Sequence, residues 1–471
     1  MNDFFKKFTQ FSMGPILGAF ISLITVPLTT HFVLPEEYGK ASMFMMVQTL
    51  MMSLLVVGLD QAYTREYHVE KNKKNLFYHA LSIPLLLSIG LLIVFALNPY
   101  FFSYLIFESR SYPGVIILIG VFGIFITVER FVLLNLRMAE RAIEFSIFTV
   151  LVRILVLLST LSFVLFIRRD FLAVVFSMII GQIVGDLILF VRHRKMFSIT
   201  GFSFDKRLFE KLLKFGLPLV LAVAIGIVLN VFDRIVFRLW IDFEQLGIYT
   251  AAMKLVGVLL ILSNGFTTFW IPTAYRWHEE GRKAKDYKLV SDGILTVMSL
   301  AFVGLLILRP LIVVILSPQY SDAKFLFGFL SLWPIMLMLS ETTTLGIVFS
   351  RKSYLNIFVS AITAIVCVVA NVLLAPRYGA MGVAVSIGLS WVVFFLARTA
   401  FSFKVWQGFR VVRQMVVVVL LIFLAFLNTR AGFYVIIVNV VSIPLLLFIN
   451  RDIVKLGWSS GKVHFIDKKY R

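Results

Sequence analysis

The chain has 471 residues, 60% of them hydrophobic and 15% charged, with a mean hydropathy of +0.95, which is more apolar surface than a water-soluble core buries. Its net charge is +20, but the cations lie in short connections between apolar runs, not in a basic stripe with interleaved aromatics, and that excludes a nucleic-acid platform. A single cysteine, Cys367, excludes an intrachain disulfide or a cysteine-based metal centre.

A hydrocarbon core of about 30 Å is crossed by about 20 apolar residues in helical conformation. Fourteen segments meet that length: 11–34, 41–63, 78–107, 115–136, 146–167 and 171–191, then 215–240, 247–274, 293–316, 325–349, 355–375, 380–403, 411–427 and 433–449. The first follows Lys6 and Lys7, exceeds a signal-peptide core in length and has no small-residue cleavage pattern, so it is expected to be a span. Gly14-Pro15, Pro84 and Pro218 sit inside apolar runs, which membrane helices tolerate because neighbouring helices satisfy the freed backbone groups. The thirteenth segment is short and holds Arg413 near its start, whose charge has to snorkel. Twelve spans plus a hairpin is the alternative.

With the N-terminus inside, the inner connections hold 31 of the 45 Lys and Arg, counting Arg413 at the mouth of its span, and the outer connections hold 7. Both termini are therefore expected to be cytoplasmic. The cation-rich connection 192–214 marks the expected boundary between an N-terminal lobe of six spans (1–191) and a C-terminal lobe of six (215–403), followed by spans thirteen and fourteen and a cytoplasmic tail (404–471). A faint repeat supports two halves. Pro35-Glu36-Glu37-Tyr38-Gly39 and Phe243-Glu244-Gln245-Leu246-Gly247 each follow a span that begins with Gly and Pro. Such repeats build many secondary transporters, with the substrate site between the halves; chance similarity between two helix-loop-helix segments is the competing explanation.

A charge at the centre of a span costs roughly 2.5 to 3.5 kcal/mol on insertion scales and normally faces a partner or a watery cavity. In the seventh span Asn230, Arg234 and Arg238 stack on one helical face. Arg234 is too deep to snorkel to the inner surface and is expected to line a cavity, with a structural ion pair as the alternative. Asp233, about 100° around the helix from Arg234, is expected to serve different neighbours, and Arg238 to anchor the outer end. Lys254 lies at a similar depth in the eighth span. Glu129 and Arg130 near the inner end of the fourth span, with Arg153 near the inner start of the fifth, make either a cationic patch at the cytoplasmic mouth or snorkelling pairs. Asp60, Asp186, Arg309 and Arg398, close to span ends, are expected to be structural. Glu341, among Ser340, Thr342, Thr343 and Thr344, is a candidate for proton or sodium handling, or part of a helix-packing cluster.

Enzyme chemistry is not apparent. Gly457-Trp458-Ser459-Ser460-Gly461-Lys462 is one residue short of a nucleotide-binding loop and lacks the following Ser or Thr. The six histidines lack metal-ligand spacing, and no outer connection is long enough to fold into an active-site domain. No cofactor, metal site or catalytic residue is expected.

Three stretches carry a family resemblance: Phe215-Gly216-Leu217-Pro218 opening a span that continues through Asp233-Arg234; Leu246-Gly247-Ile248-Tyr249-Thr250-Ala251-Ala252-Met253-Lys254; and Leu374-Ala375-Pro376-Arg377-Tyr378-Gly379-Ala380-Met381-Gly382-Val383-Ala384 between spans eleven and twelve. In this order the chain resembles the polysaccharide-transporter branch of the multidrug/oligosaccharidyl-lipid/polysaccharide exporter superfamily, the O-antigen and exopolysaccharide flippases. The resemblance implies an all-α polytopic membrane protein of the bacterial inner membrane. It implies two pseudo-symmetric six-helix bundles around a central cavity, with two extra C-terminal helices. It also implies alternating access that moves a polyprenyl-diphosphate-linked oligosaccharide, surrounding membrane lipids, possible H+ or Na+ coupling, and polysaccharide polymerase or assembly proteins as partners. Asp233, Arg234 and Lys254 carry over most directly. Arg234, Lys254, Arg153 and Arg130 are the candidate cavity cations, since arginine suits phosphate; Asp233, Glu129 and Glu341 are the coupling or ion-pair candidates. Lipid II flippases carry several Arg in their first two spans, whereas here the first has none and the second has Arg65 just past its end, which argues against that assignment. A cation-coupled multidrug exporter, or a membrane-embedded glycan polymerase or acyltransferase, remains as the alternative.

Overall fold

The computed structural model describes residues 2–198, 202–352, 354–453 and 455, with side chains from Met13 onward apart from those of residues 221, 222, 230, 264 and 268. The Asn230 side chain, the fragment 457–462 and His464 therefore lie outside the described residues. Among the described residues the regular elements are all helical, and the chain forms two compact units, 1–250 and 251–471.

The first unit holds α1 (Asn2–Phe32), α2 (Pro35–Leu54), α3 (Leu59–Glu66), α4 (Lys73–Leu97), α5 (Pro99–Phe107), α6 (Pro113–Met138), α7 (Ala142–Phe166), α8 (Phe171–Arg192), α9 (Lys206–Trp240) and the first two turns of α10 (Phe243–Val256). Their starts are written locally. Pro35, Pro99 and Pro113 open α2, α5 and α6 at a position that has no backbone hydrogen bond to lose. The side chains of Asn72, Asn98, Asp170 and Asp205 accept from the first-turn amides of α4, α5, α8 and α9. In this unit α7 packs on α1 and α8, α4 on α6, and α2 on α8 and α9.

The second unit holds the rest of α10, then α11 (Val258–Glu279), α12 (Ala284–Leu316), α13 (Ala323–Thr343), α14 (Leu345–Phe349), α15 (Tyr354–Val405), α16 (Val412–Leu427) and α17 (Phe433–Ile449). Here α13 packs on α15 and α12, and α12 on α17. α15 is 52 residues long but breaks at Gly379, whose φ of 56° and ψ of −137° suit glycine. That break separates the expected eleventh and twelfth segments.

Among the described residues, ten helical segments are long and apolar enough to cross a membrane, α10 and α11 counting as one, or eleven if the bent pair α2 and α3 is one span; α16 and α17 are shorter apolar helices. Each of the fourteen segments read from the sequence falls in a helix or helix pair. Four segments that read as continuous are interrupted, among them 247–274 at Gly257 and 325–349 at Thr344. The run 41–63 bends by 46° between α2 and α3, where Val57 and Gly58 take positive φ. The run 78–107 divides at Asn98, which caps α5. These last two breaks sit inside unbroken hydropathy, which records apolarity and not backbone direction.

The solvent logic is that of lipid. Leu97, Phe166 and Phe433 are about four-fifths exposed, while Ser177, Ser331, Thr363 and Asn371 are fully buried. Helical hydroxyls close on their own helix, as Ser22 does on Gly18 O and Thr29 on Thr25 O, at 2.9 and 2.7 Å.

The two copies of the faint repeat meet in the first unit. A Cβ on Gly39 would run into the Phe243 carbonyl, and one on Gly247 into the Pro35 carbonyl, with each glycine also close to the other's amide nitrogen. The first turns of α2 and α10 therefore touch backbone to backbone, which glycine alone permits. Gly247→Val is expected to lower the thermal unfolding midpoint of the detergent-purified protein by several degrees, consistent with about 1–3 kcal/mol for overpacking. Gly90→Ala, where the added Cβ meets nothing within 4 Å, is expected to leave it unchanged. Equal midpoints for the two variants would contradict the close contact.

Candidate functional site

One to two turns below the glycine contact, α2, α9 and α10 bring a polar cluster together. Arg234 lies six residues from the end of α9, and Ser42 and Thr250 lie seven residues into α2 and α10, about 10 Å along each helix. Thr250 Oγ1 donates to Ser42 Oγ at 2.8 Å, and Arg234 Nε donates to the same oxygen at 3.3 Å. The Tyr249 hydroxyl donates to Asp233 Oδ2 at 2.5 Å, and Asp233 Oδ1 accepts from the Arg234 amide at 2.8 Å. The Arg234 guanidinium reaches Asp233 Oδ1 at 3.4 Å.

These distances rank the partners. Asp233 is held by a short charge-assisted bond and is nearly buried, with 7% of its side chain exposed against 20% for Arg234. The Arg234 contacts to Asp233 and Ser42 are at the long limit of hydrogen bonding. The carboxylate is held by its shorter bonds, while the guanidinium's bonds to it and to Ser42 are the longer ones. Asp233 and Arg234 were expected to serve different neighbours because their Cα–Cβ bonds diverge; the long arginine side chain instead turns back onto its neighbour. Ser42 and Tyr249 were not singled out as site residues, and the family-like stretch 246–254 was the available signal for Tyr249 and Thr250. Arg238 pairs with Glu108 and donates to the carbonyls of Leu105 and Tyr104 at 3.1 Å, which fixes the end of α9 to α5. Lys254 lies half-buried on the part of α10 that belongs to the second unit.

The second group from the sequence, Glu129, Arg130 and Arg153, is brought together on α6 and α7 and gains three residues. Arg130 pairs with Asp60 at 2.8 Å. Glu129 lies near Arg153, Arg130 and Gln182, and Gln182 Nε2 donates to Asp186 Oδ1 at 2.9 Å. Asp186 is fully buried, and its Oδ2 has no hydrogen-bond partner among the described residues. Gln182 and Asp186, four residues apart in an apolar run, were the legible trace of this bond.

In the second unit Glu341 pairs with Arg398 at 2.6 Å, and Arg398 also reaches Ser340 Oγ at 2.9 Å. Thr342 bonds Ser291 and Thr343 bonds Thr399, so the cluster around Glu341 joins α13 to α12 and α15. Arg413 does not rely on snorkelling; it reaches Asp292 and Asp452 at 3.1 and 2.9 Å. Arg309 is buried and donates to the Asn428 carbonyl at 2.8 Å. No group of three or more potential metal ligands occurs among the described residues.

Arg234→Ala is expected to fold, because Asp233 keeps the Tyr249 hydroxyl and the helix amide. Tyr249→Phe is expected to cost about 1.5–3 kcal/mol, the range for a hydrogen bond to a charged group, read as a lower unfolding midpoint in detergent. An unchanged midpoint for Tyr249→Phe would remove the Tyr249–Asp233 bond from the account.

Residues 4–278 match the family described as polysaccharide biosynthesis protein. No curated protein matches the chain by sequence. Among solved structures, the chain is similar to the lipid II flippase MurJ in an inward closed conformation, with a TM-score of 0.72, 15% identity and coverage of 95% of this chain and 99% of that one. It is similar to a multidrug resistance MATE family transporter of the MOP superfamily, inward-facing, with a TM-score of 0.63, 17% identity and coverage of 82% and 94%. The outward-facing form of a MATE family transporter gives 0.58, 16%, 85% and 95%. At these identities the likeness is one of fold alone. With its matched stretch covering more than half of its length, the chain belongs to the polysaccharide biosynthesis protein family.

Proposed function

We propose that the protein is a flippase that moves a polyprenyl-diphosphate-linked oligosaccharide, an O-antigen or exopolysaccharide repeat unit, across the bacterial inner membrane by alternating access. The observation that carries this reading is the Arg234 guanidinium, with its longer bonds to Asp233 and Ser42, in a chain of the polysaccharide biosynthesis family. A diphosphate is an acceptor with many oxygens, and a planar guanidinium with five donors is suited to take it. When the diphosphate draws Arg234 away, Asp233 remains satisfied by Tyr249, so the exchange leaves no orphaned carboxylate. Arg153 and Arg130 are the further candidate cations of the first unit, and Lys254 that of the second. In this reading the lobes are 1–191 and 215–403 joined by 192–214, both termini are cytoplasmic, and the glycine contact between α2 and α10 closes the outer end.

The Glu129–Gln182–Asp186 group is proposed to carry a proton that couples transport to a gradient, ahead of Glu341, whose carboxylate already holds a guanidinium. A multidrug exporter is the second reading, favoured by the MATE-like fold.

In the native host, Arg234→Ala at normal protein level is expected to strand the lipid-linked glycan on the cytoplasmic face and to lower surface polysaccharide by about tenfold or more, the scale of losing one charged phosphate contact; Arg234→Lys is expected to fall between the two. Asp186→Asn is expected to slow glycan export and remove its sensitivity to proton uncouplers. Normal surface glycan in Arg234→Ala would remove Arg234 from the mechanism. A gene deletion with unchanged glycans and new sensitivity to cationic dyes would establish the exporter instead.

A further inference from the structure

α8 ends in an unusual run of charge. Arg192 is its last residue, His193 caps it, and a 3-10 turn, Arg194–Phe197, follows at once. Arg141, which precedes α7, comes alongside. Together Arg141, Arg192, His193, Arg194 and Lys195 line a pocket of about 590 Å³. Arg141 is compensated by Glu144 at 2.5 Å. Among the described residues no carboxylate is in ion-pair range of Arg192, Arg194 or Lys195. His193 is 6% exposed, and its Nε2 lies 3.3 Å from Glu144 without a hydrogen-bond partner among the described residues. The pocket therefore holds three uncompensated cations, beside a buried His193 ring that faces Glu144, and those cations call for an anion with several oxygens.

The apolar surroundings narrow the choice. Ile180, Val184, Leu187, Ile188 and Val191 are exposed on α8, at spacings that form one stripe along the helix, and Val191 also lines the pocket. A soluble phosphate would use the cations and ignore the stripe. A lipid with a charged phosphate head uses both, with its head in the pocket and its chains down the stripe. We infer that this pocket is a binding site for the phosphate headgroup of an anionic membrane phospholipid, distinct from the Arg234 cluster. By the cation count it faces the cytoplasmic leaflet, where anionic lipid attracts basic segments. The residues that line it, 192–195, open the connection 192–214.

The test uses the full chain purified in detergent and titrated with phosphatidylglycerol or phosphatidylcholine, with retained lipid read by native mass spectrometry. The wild-type protein is expected to retain phosphatidylglycerol over phosphatidylcholine by about tenfold or more. The triple variant Arg192→Gln/Arg194→Gln/Lys195→Gln, in exposed positions that leave the fold intact, is expected to lose that preference. Val191→Glu, which puts a like charge beside the lipid, is expected to weaken it. The control Arg282→Gln/Lys283→Gln/Lys285→Gln removes three cations from a connection of the second unit and is expected to keep the preference. Full retention by the first triple variant, an equal loss in the control, or complete displacement of phosphatidylglycerol by inorganic phosphate would overturn the site.

Discussion

Inside a bilayer, a polar group has to find its partner within the protein, because the hydrocarbon supplies none. That requirement organises the placement of charge in this chain. In the first unit Asp233 takes Tyr249, Arg130 takes Asp60, and Gln182 takes Asp186. In the second, Glu341 takes Arg398, and Asp292 gathers Lys288, Arg413 and Gln414. The helices that carry these groups are held in register by them, since a buried charge that loses its partner costs about 3–5 kcal/mol.

The pairs differ in what they permit. Arg398 and Glu341 meet at 2.6 Å with 13% of each side chain exposed, and Asp292 has three donors, so in both the carboxylate is tightly held. The Arg234 cluster is open in a specific sense. Its carboxylate has a second, shorter partner, so the guanidinium can leave without stranding it. A transport site needs that property, because binding has to be strong enough to admit the substrate and weak enough to release it. The backbone contact of Gly39 and Gly247, a turn or two away, gives the same region a surface that can separate without pulling side chains apart.

Much of this was legible in the sequence. Apolar runs of spanning length marked the helices, because lipid-facing and packing residues are both apolar and no periodicity is needed. The repeat around residues 39 and 247 pointed to two matching turns, and those turns touch. Arg234 and Asp233 stood out as charges at depth, and Glu129 as a carboxylate near the inner end of its span. Their partners did not. Ser42 is 192 residues from Arg234, and Asp60 is 70 from Arg130, separations that local patterns do not record. Ser42, Tyr249 and Gln182 are ordinary residues for a membrane helix until a charge faces them. The breaks at 55–58 and at Asn98 were also hidden, since backbone direction changed while hydropathy did not.

The most direct test of the account is reconstitution. The purified protein would be placed in proteoliposomes that hold an undecaprenyl-diphosphate-linked oligosaccharide, and the fraction of glycan that becomes accessible to an enzyme on the opposite face would be followed with time. Protein-dependent movement that is lost in Arg234→Ala and competed by free diphosphate-linked lipid is the predicted result. Movement at the rate of protein-free vesicles, or movement indifferent to Arg234, would contradict it.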